Sequence, residues 1–398
     1  MKLLVITQYF FPETFRINAL CAELVRRGHE VTVLTGYPQY PYGKIYDGYG
    51  FSVPYENEWM GVRIERVKVL PRGKTPFGLL LNFCSIAIEG SKWVRHCTET
   101  FDAVFVYGLS PVTVGLPAVA YKKRFGTPIY YNLLDLWPDS AEIVLGIRCR
   151  PVISVLNRIV RRIYAASDRI LCSSESVVQT LTARGVPAEK TAFWPQFCTE
   201  PQTDTMTRPA CYSPAHFNIV FTGNLGEAQG LDLLIDTAIK CRDSRVRWFL
   251  VGDGRAGDRL KKRVADNGLE TVVSFIGRVT EAEANRYTYF ADCAYLSFQK
   301  NEFFEKVLPA KLASYLACGI PILAAAGGES ARVIDEARCG FVCEQDAERL
   351  AALISEELLP STELDDMRIR AKQYYEAHFT KARLVDDLEA LMACGTDS

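Results

Sequence analysis

The sequence predicts an α/β protein built from two Rossmann-like βαβ domains in tandem. Three observations predict it. Short runs rich in β-branched residues alternate with helical patterns, and that alternation gives a parallel sheet wrapped by helices. It dissolves once, over 199–214, and then restarts. The 398 residues also exceed what one hydrophobic core usually organises.

Taken in order, the first half reads as strands LLVIT, EVTVLT, VRIERVKVL, AVFVY, IYYNLL and RILCS, with helices near 16–27, 77–96, 111–125, 151–166 and 174–184. The opening MKLLVITQYFF is read as a strand rather than a signal peptide, because Pro12 and Glu13 follow at once without a small-residue cleavage site. Residues 199–214 are rich in Thr, Pro, Asp and Ser and read as a linker. The second half repeats the pattern with FNIVFT, WFLVGD, VVSFIG, CAYLSF, PILAA and GFVCE. Helical segments at 365–377 and 381–393 finish the chain, and the expectation is that one folds back across the junction. The domains expected are thus 1–200, 215–380 and a C-terminal helix at 381–398. Ligands of open α/β sheets bind beyond the carboxyl ends of the strands, so two such sheets face each other across a cleft.

Composition narrows the function. Forty-six basic and 47 acidic residues leave a net charge of −1, which supplies no general field for nucleic acid or an anionic surface. Thirteen cysteines without a CxxC pair argue for a reducing, cytoplasmic setting rather than a disulfide framework. The most apolar window, 77–88, is shorter than the roughly 20 residues a spanning helix needs and is interrupted by Asn82 and Ser85. Two segments, 77–96 and 151–166, carry apolar stripes with basic residues beside them and are read as packing against the sheet, with membrane-surface contact as the other reading.

Motifs lie in the loops after strands. The stretch FTGNLGEAQGLDLLIDTAI has a glycine turn (Gly223, Gly226, Gly230) of the kind that holds phosphate, yet contains no Lys or Arg. GDGRAG matches GxGxxG, but it follows the second strand of its domain and no acidic residue ends the next strand, so a dinucleotide site is not expected. There is no DxD and the four histidines lie far apart, so no metal is expected. YFFPETFRIN places Glu13, Arg16 and Asn18 at the mouth of a helix, where Glu13 reads equally as a helix cap. YYNLLDLWPDSAE forces a turn at Pro138 and leaves Asp135 and Asp139 at the end of a strand, Asp139 or Ser140 doubling as a cap. In FFEKVLPAKLASYLACGIPILAA, Glu302 and Glu305 lie just upstream or within, Pro309 suits a first helical position, and Lys311 stands beside free N–H groups able to meet an anion.

Together and in order, YFFPETFRIN, RRGHEVTVLTGYPQYPYGKIYDGYG, VYGLSPVTVGLPA, LLDLWPDS, YAASDRILCSS, GNLGEAQGLD, LVGDGR, SFIGRV and LPAKLASYLACGIPILA resemble the bacterial sugar-nucleotide-dependent glycosyltransferases of family four, of GT-B fold. The resemblance is to the branch with fucosamine and colanic-acid transferases of surface polysaccharide synthesis. It implies a retaining, metal-independent transfer from a nucleoside diphosphate sugar, usually UDP-linked, with no permanently bound cofactor. It implies an acceptor glycan on a polyprenyl diphosphate at the inner face of the membrane, with the donor held by the second domain.

The resemblance also marks departures. Where the family has Arg and Lys after the first glycine turn of the second domain, this chain has Asn224 and Gln229. Its paired glutamates fall on Lys306 and Ser314, and its histidine before the strand-end aspartate on Leu134. The site expected is therefore Gly223, Asn224, Gln229 and Lys311 toward the diphosphate, Gly277, Arg278 and Ser314 toward base and ribose, Glu305 also within the donor site, and Asp135 and Glu13 toward the transferred sugar and acceptor. Two alternatives stand beside it: a sugar-nucleotide hydrolase or epimerase of the same fold, and a non-catalytic subunit that binds sugar nucleotide.

Overall fold

The computed structural model describes residues 1–394 apart from 55, 74 and 144–148. The chain divides into two units, Met1–Pro195 with Leu384–Ser398, and Gln196–Arg383.

Unit 1 is an eight-stranded sheet in the order β3-β4-β2-β1-β5-β6-β7-β8. Its strands are β1 (Lys2–Ile6), β2 (Glu30–Thr35), β3 (Glu58–Trp59), β4 (Val62–Arg66), β5 (Ala103–Gly108), β6 (Ile129–Leu133), β7 (Arg169–Cys172) and β8 (Thr191–Phe193). All described pairs are parallel except the short β3–β4 ribbon. Leu3, Leu4, Val5 and Ile6 are wholly buried, as expected for a central strand covered on both faces, and this is why β1 is apolar without alternation. The chain steps outward from β1 to β2 and β4, then returns to β5 and steps the other way. Right-handed crossovers then put the helix Arg16–Arg26 on one face, and Pro76–His96, Leu116–Phe125, Arg150–Ala166 and Glu175–Ala183 on the other.

The helix Lys381–Cys394 completes this unit. Leu384, Val385, Leu388 and Met392 are buried, Trp194 Nε1 donates to the Leu384 carbonyl at 2.8 Å, and the Tyr130 hydroxyl donates to the Leu391 carbonyl at 3.2 Å. Arg27 reaches Asp386 and Glu389 at 2.5 and 2.8 Å, and His29 Nε2 meets Glu389 at 2.7 Å.

The interruption of the apolar window has a structural cause. Asn82 is fully buried, donating to the Leu70 carbonyl at 2.6 Å and accepting from Gln8 Nε2 at 3.1 Å, and the Ser85 hydroxyl accepts from the Leu70 amide at 2.9 Å. The expectation that 77–96 and 151–166 pack against the sheet holds for part of each. Ile86, Val94, Val160 and Ile163 are buried, but Leu80, Leu81, Ile88, Val152 and Val155 are left between 38% and 55% exposed.

Unit 2 is a six-stranded, all-parallel sheet in the order β11-β10-β9-β12-β13-β14. Its strands are β9 (Phe217–Thr222), β10 (Val246–Val251), β11 (Val273–Gly277), β12 (Cys293–Ser297), β13 (Ile322–Ala325) and β14 (Gly340–Val342). Alternate residues feed two cores: Ile219 and Phe221 join one, Val220 the other. The stretch read as a linker is exposed over most of its length and is anchored by one ring. Tyr212 is buried, and its hydroxyl donates to the Tyr287 carbonyl at 2.9 Å.

Candidate functional site

In unit 2 the strand order reverses between β9 and β12, and the carboxyl ends on either side of such a switch leave room for a ligand. The glycine turn after β9 lies here. Gly223 has φ +133° and its amide donates to the Val251 carbonyl at 2.9 Å. Gly252, at φ +142°, is pressed so close that a Cβ there would stand 1.9 Å from the Gly223 oxygen. GDGRAG thus braces the first glycine turn, a backbone role that only glycine fills at Gly252.

The helix Ala310–Ala317 aims into the same place. Pro309 precedes it in an extended conformation, ψ 139°, rather than taking the expected first helical position. Lys311 and Tyr315, four residues apart, share a face. The Tyr315 hydroxyl accepts from the Thr222 amide at 3.0 Å and donates to the Tyr295 carbonyl at 3.2 Å, fixing the helix to β9 and β12. Lys311 Nζ lies 3.9 Å from the ring centre of Phe221 and 5.7 Å from that of Phe298, and hydrogen-bonds to Gln229 Oε1. A Cβ on Gly223 would be 3.7 Å from this ammonium. Burial pushes the Lys311 amine down to about 7. No carboxylate pairs with it among the described residues.

Gln229 is held in turn: its carbonyl accepts from Ser297 Oγ at 2.7 Å, and Gly230 closes the turn at φ +60°. Arg259, nearby, is occupied by Asp232 at 2.6 Å and Glu227 at 2.9 Å.

The structure therefore brings Gly223, Gln229 and Lys311 together. Asn224 flanks them: its Oδ1 would be 2.6 Å from a Cβ placed on Gly254. The other expected donor residues lie apart. Ser314 Oγ turns back toward the Ala310 carbonyl at 3.4 Å. Arg278 is exposed just past β11, two strands from β9, and no hydrogen bond joins it to the others among the described residues. Glu305 sits beside a second glycine turn after β13, where a Cβ on Gly328 would meet the Glu305 carbonyl oxygen at 2.0 Å. Gly327 and Gly328 were missed in the sequence, although a glycine pair after an apolar strand is a readable signal.

In unit 1 the corresponding switch lies between β1 and β5. Asp135, after β6, is half-buried. Its Oδ2 accepts from the Ser110 amide at 2.8 Å and from the Ser110 hydroxyl at 2.6 Å, and no donor faces Oδ1 among the described residues. Glu13 is only 3% exposed. Its Oε1 accepts from the Gln39 and Tyr40 amides at 2.7 and 2.6 Å and its Oε2 from the Phe10 amide at 3.3 Å. Desolvation raises its carboxyl to about 7, against those three hydrogen bonds and the Arg66 charge. The expectation that Glu13 faces the sugar is corrected here, because its carboxylate is turned inward to tie the loops after β1 and β2. Asp139 pairs with Arg184 at 2.7 and 2.8 Å. A cavity of about 940 Å³ between the helices Arg150–Ala166 and Glu175–Ala183 runs past this ion pair, and Asp135 is not among its lining residues.

Among the described residues, no three His, Cys, Asp or Glu side chains are grouped to hold a metal ion.

Residues 14–196 match the glycosyl transferase 4-like domain and residues 216–359 the glycosyl transferases group 1 family. Over 337 residues, 80% of this chain and 82% of the other, the sequence is 26% identical to a protein of Escherichia coli strain K12 named a colanic acid biosynthesis glycosyl transferase, WcaI. Among solved structures, Anabaena Alr3699/HepE in complex with UDP superposes with a TM-score of 0.69 at 14% identity, over 99% of this chain and 100% of that one. Sucrose-phosphate synthase from Thermosynechococcus elongatus gives 0.73 at 16%, over 98% of each. These are GT-B structures, and the two parallel-sheet units have that fold. The matches to both domains, one in each unit, establish that the chain belongs to the GT-B glycosyltransferases, joining a glycosyl transferase 4-like domain to a group 1 domain.

Proposed function

We propose that this glycosyltransferase moves a sugar from a UDP-sugar, with retention of configuration and without a metal, to a glycan carried on a polyprenyl diphosphate during surface polysaccharide synthesis. The observation that carries the donor assignment is Lys311: an ammonium without a carboxylate partner among the described residues, walled by Phe221 and Phe298, over the Gly223 turn. A cation desolvated in this way gains most from an arriving anion. The UDP bound by Alr3699/HepE and the polysaccharide named for WcaI support the same reading.

As the glycosidic bond breaks, positive charge grows on the anomeric carbon and negative charge on the departing diphosphate. Groups already aimed at that diphosphate lower the barrier most. Lys311, the backbone amides of Asn224 and Gly226, and Gln229, which holds the lysine in place, fill this role, while the Gly223 and Leu225 amides are taken by the Val251 and Asp253 carbonyls. Ser314 and Arg278 stand as the contacts proposed for ribose and base, and Glu305 as a further donor-site residue beside the Gly327–Gly328 turn. Asp135 presents its free Oδ1 to the acceptor hydroxyl, while the leaving phosphate takes that hydroxyl's proton. Glu13 acts as a positioning residue for the loops beside it.

The test is calorimetric titration with UDP, GDP and dTDP, followed by product analysis with and without a lipid-linked acceptor. UDP binding with sugar transfer only when acceptor is present is expected. Release of free sugar at the same rate without acceptor would favour the hydrolase reading, and binding without turnover the silent subunit.

A further inference from the structure

We infer that unit 1 carries a second carbohydrate subsite, a platform of tyrosine rings on the loop 36–57 that stacks on the acceptor glycan beyond the sugar receiving transfer. The inference deepens the transfer reading above and rests on its glycan acceptor.

The sequence concentrates the material. Six of the chain's 19 tyrosines fall within 37–55. The connection from β2 to β3 that holds them has no helix or strand among its described residues. Connections of this length are uncommon in compact domains, and ordered ones usually serve a function. This one is ordered by its own bonds. The Gly73 amide donates to the Gly43 carbonyl at 3.0 Å, and a Cβ on Gly43 would stand 2.9 Å from the Gly73 oxygen. The Tyr46 amide donates to the Pro38 carbonyl at 2.9 Å, and the Tyr46 hydroxyl to the Tyr40 carbonyl. Beneath them Arg66 donates to the Gly36 carbonyl at 2.8 Å while its guanidinium lies 5.2 Å from the ring centre of Tyr49.

The rings held in this way are left uncovered. Tyr40 packs 5.5 Å from Tyr9 and 5.3 Å from Phe15, which stack on each other at 5.2 Å with their planes 11° apart. Tyr40 is nevertheless 43% exposed, and Tyr42, 5.7 Å from Tyr46, is 66% exposed. A contiguous exposed patch of this kind marks a binding surface. Its chemistry selects the occupant. Tyrosine offers a rigid face and a polar edge at little entropic cost. The face is electron-rich and attracts the C–H bonds on one side of a sugar ring. Phenol hydroxyls and the exposed Lys44 and Asp47 can meet the sugar's own hydroxyls. An aliphatic partner would call for Leu or Ile, whereas the loop exposes one branched aliphatic side chain, Val53, among its described residues.

The platform also stands where an acceptor would pass. Tyr9 follows β1, Tyr40 follows β2 and Asp135 follows β6, all at the carboxyl end of one sheet. Tyr107, near the end of β5 between them, feels the charges of both Asp135 and Arg16, the neighbour of Phe15. β2 and β6 are three strand spacings apart, about 14 Å. A glycan with its reacting hydroxyl at Asp135 would thus meet the rings with sugars further along the same chain.

The experiment is saturation-transfer NMR on the full chain, with neither donor nor lipid, using chitobiose, cellobiose and maltose as probes. Saturation is expected on the C–H protons of one sugar face, and Tyr40→Ala with Tyr42→Ala should weaken binding by about tenfold or more. Tyr42→Phe, which keeps the ring, should bind like the parent, and Tyr42→Leu, which keeps only apolar area, should not. Melting temperature and UDP affinity are measured alongside and should be unchanged; Tyr42→Ala alone, at the most exposed ring, serves if the double variant unfolds. No saturation of any disaccharide, equal binding by folded alanine variants, full binding by Tyr42→Leu, or a dimer broken by Tyr42→Ala would overturn the inference. Disaccharide binding without sugar transfer would leave the platform standing while the transferase reading failed. Transfer whose acceptor KM is the same in the folded ring variants would do the reverse.

Discussion

The Ser110 amide and hydroxyl both donate to Oδ2 of Asp135, at 2.8 and 2.6 Å, so that Oδ1 is the open side of the carboxylate. If Asp135 receives the acceptor hydroxyl there, Asp135→Asn should lower kcat by about 100-fold or more, in the range of a positioned acid or base. UDP affinity should hold, because the groups that grip the donor lie in unit 2. Ser110→Ala keeps the amide and loses the hydroxyl, and a smaller loss, about tenfold, is expected. Steady-state kinetics beside calorimetry separate these effects, and turnover by Asp135→Asn within a factor of two of the parent would remove Asp135 from the mechanism.

Lys311→Ala should weaken UDP binding by about 1.5 to 3 kcal/mol, roughly 10- to 150-fold, the range of a hydrogen bond to a charged group. Since burial holds the free amine near 7, the cation that binds diphosphate is depleted as pH rises. The dissociation constant for UDP should therefore climb by about tenfold per unit above pH 7 until bound diphosphate can no longer recover the proton. Lys311→Gln should bind weakly and with a flat profile. A parent profile equally flat from pH 6 to 9 would show that the ammonium is not the gripping group.

Gly252→Ala would set a methyl 1.9 Å from the Gly223 oxygen in a backbone conformation, φ +142°, that L residues avoid. A loss of about 2 to 4 kcal/mol is expected, with UDP affinity reduced because the Gly223 turn must shift. Gly268→Ala, at φ +63° with open space around it, serves as the control for backbone strain without a clash. Chemical denaturation of the two variants distinguishes them.

Glu13 makes a pH-dependent contribution whose sign follows from its raised carboxyl. The folded chain keeps a proton up to about pH 7, whereas the unfolded carboxyl releases it near 4.5. Stability is thus greatest below 4.5 as far as this group is concerned, declines as pH rises through the interval, and levels off above 7. The span is about 3 kcal/mol. Urea midpoints between pH 5 and 8 should fall in the parent and much less in Glu13→Gln.

Deleting the chain after Thr380 removes Leu384, Val385, Leu388 and Met392, all at most 2% exposed. At about 1.5 to 3 kcal/mol for each large buried side chain, the loss exceeds the usual margin of a domain. Unit 1 should then aggregate or melt far below the parent. An unchanged melting transition would mean that the helix contributes little.

The elements were legible where a physical period was legible. LLVIT reads as a buried central strand because both faces are covered, and the second set of strands follows the same rule. The glycine turns were legible because backbone geometry there excludes other residues. Lys311 was legible as a cation near a helix start, but its ring walls were not: Phe221 is the last residue but one of β9 and Phe298 follows β12, 77 residues apart in sequence, and only the sheet order makes them neighbours. Glu13 read as an acid at a helix mouth, a cap or a group facing the sugar, whereas the loop at 39–40 closes over it. Arg278 was placed by its strand end, with no way to know that β11 would be the sheet's outer edge.

Local chemistry thus determined that this chain alternates strand and helix twice over, that its first glycine turn lacks charge, and that its acids and its lysine stand at strand ends and helix starts. Which of those groups meet was decided by tertiary structure. Strand order and crossover direction are long-range choices, and they alone brought Lys311 over Gly223, left Oδ1 of Asp135 open and turned the carboxylate of Glu13 inside.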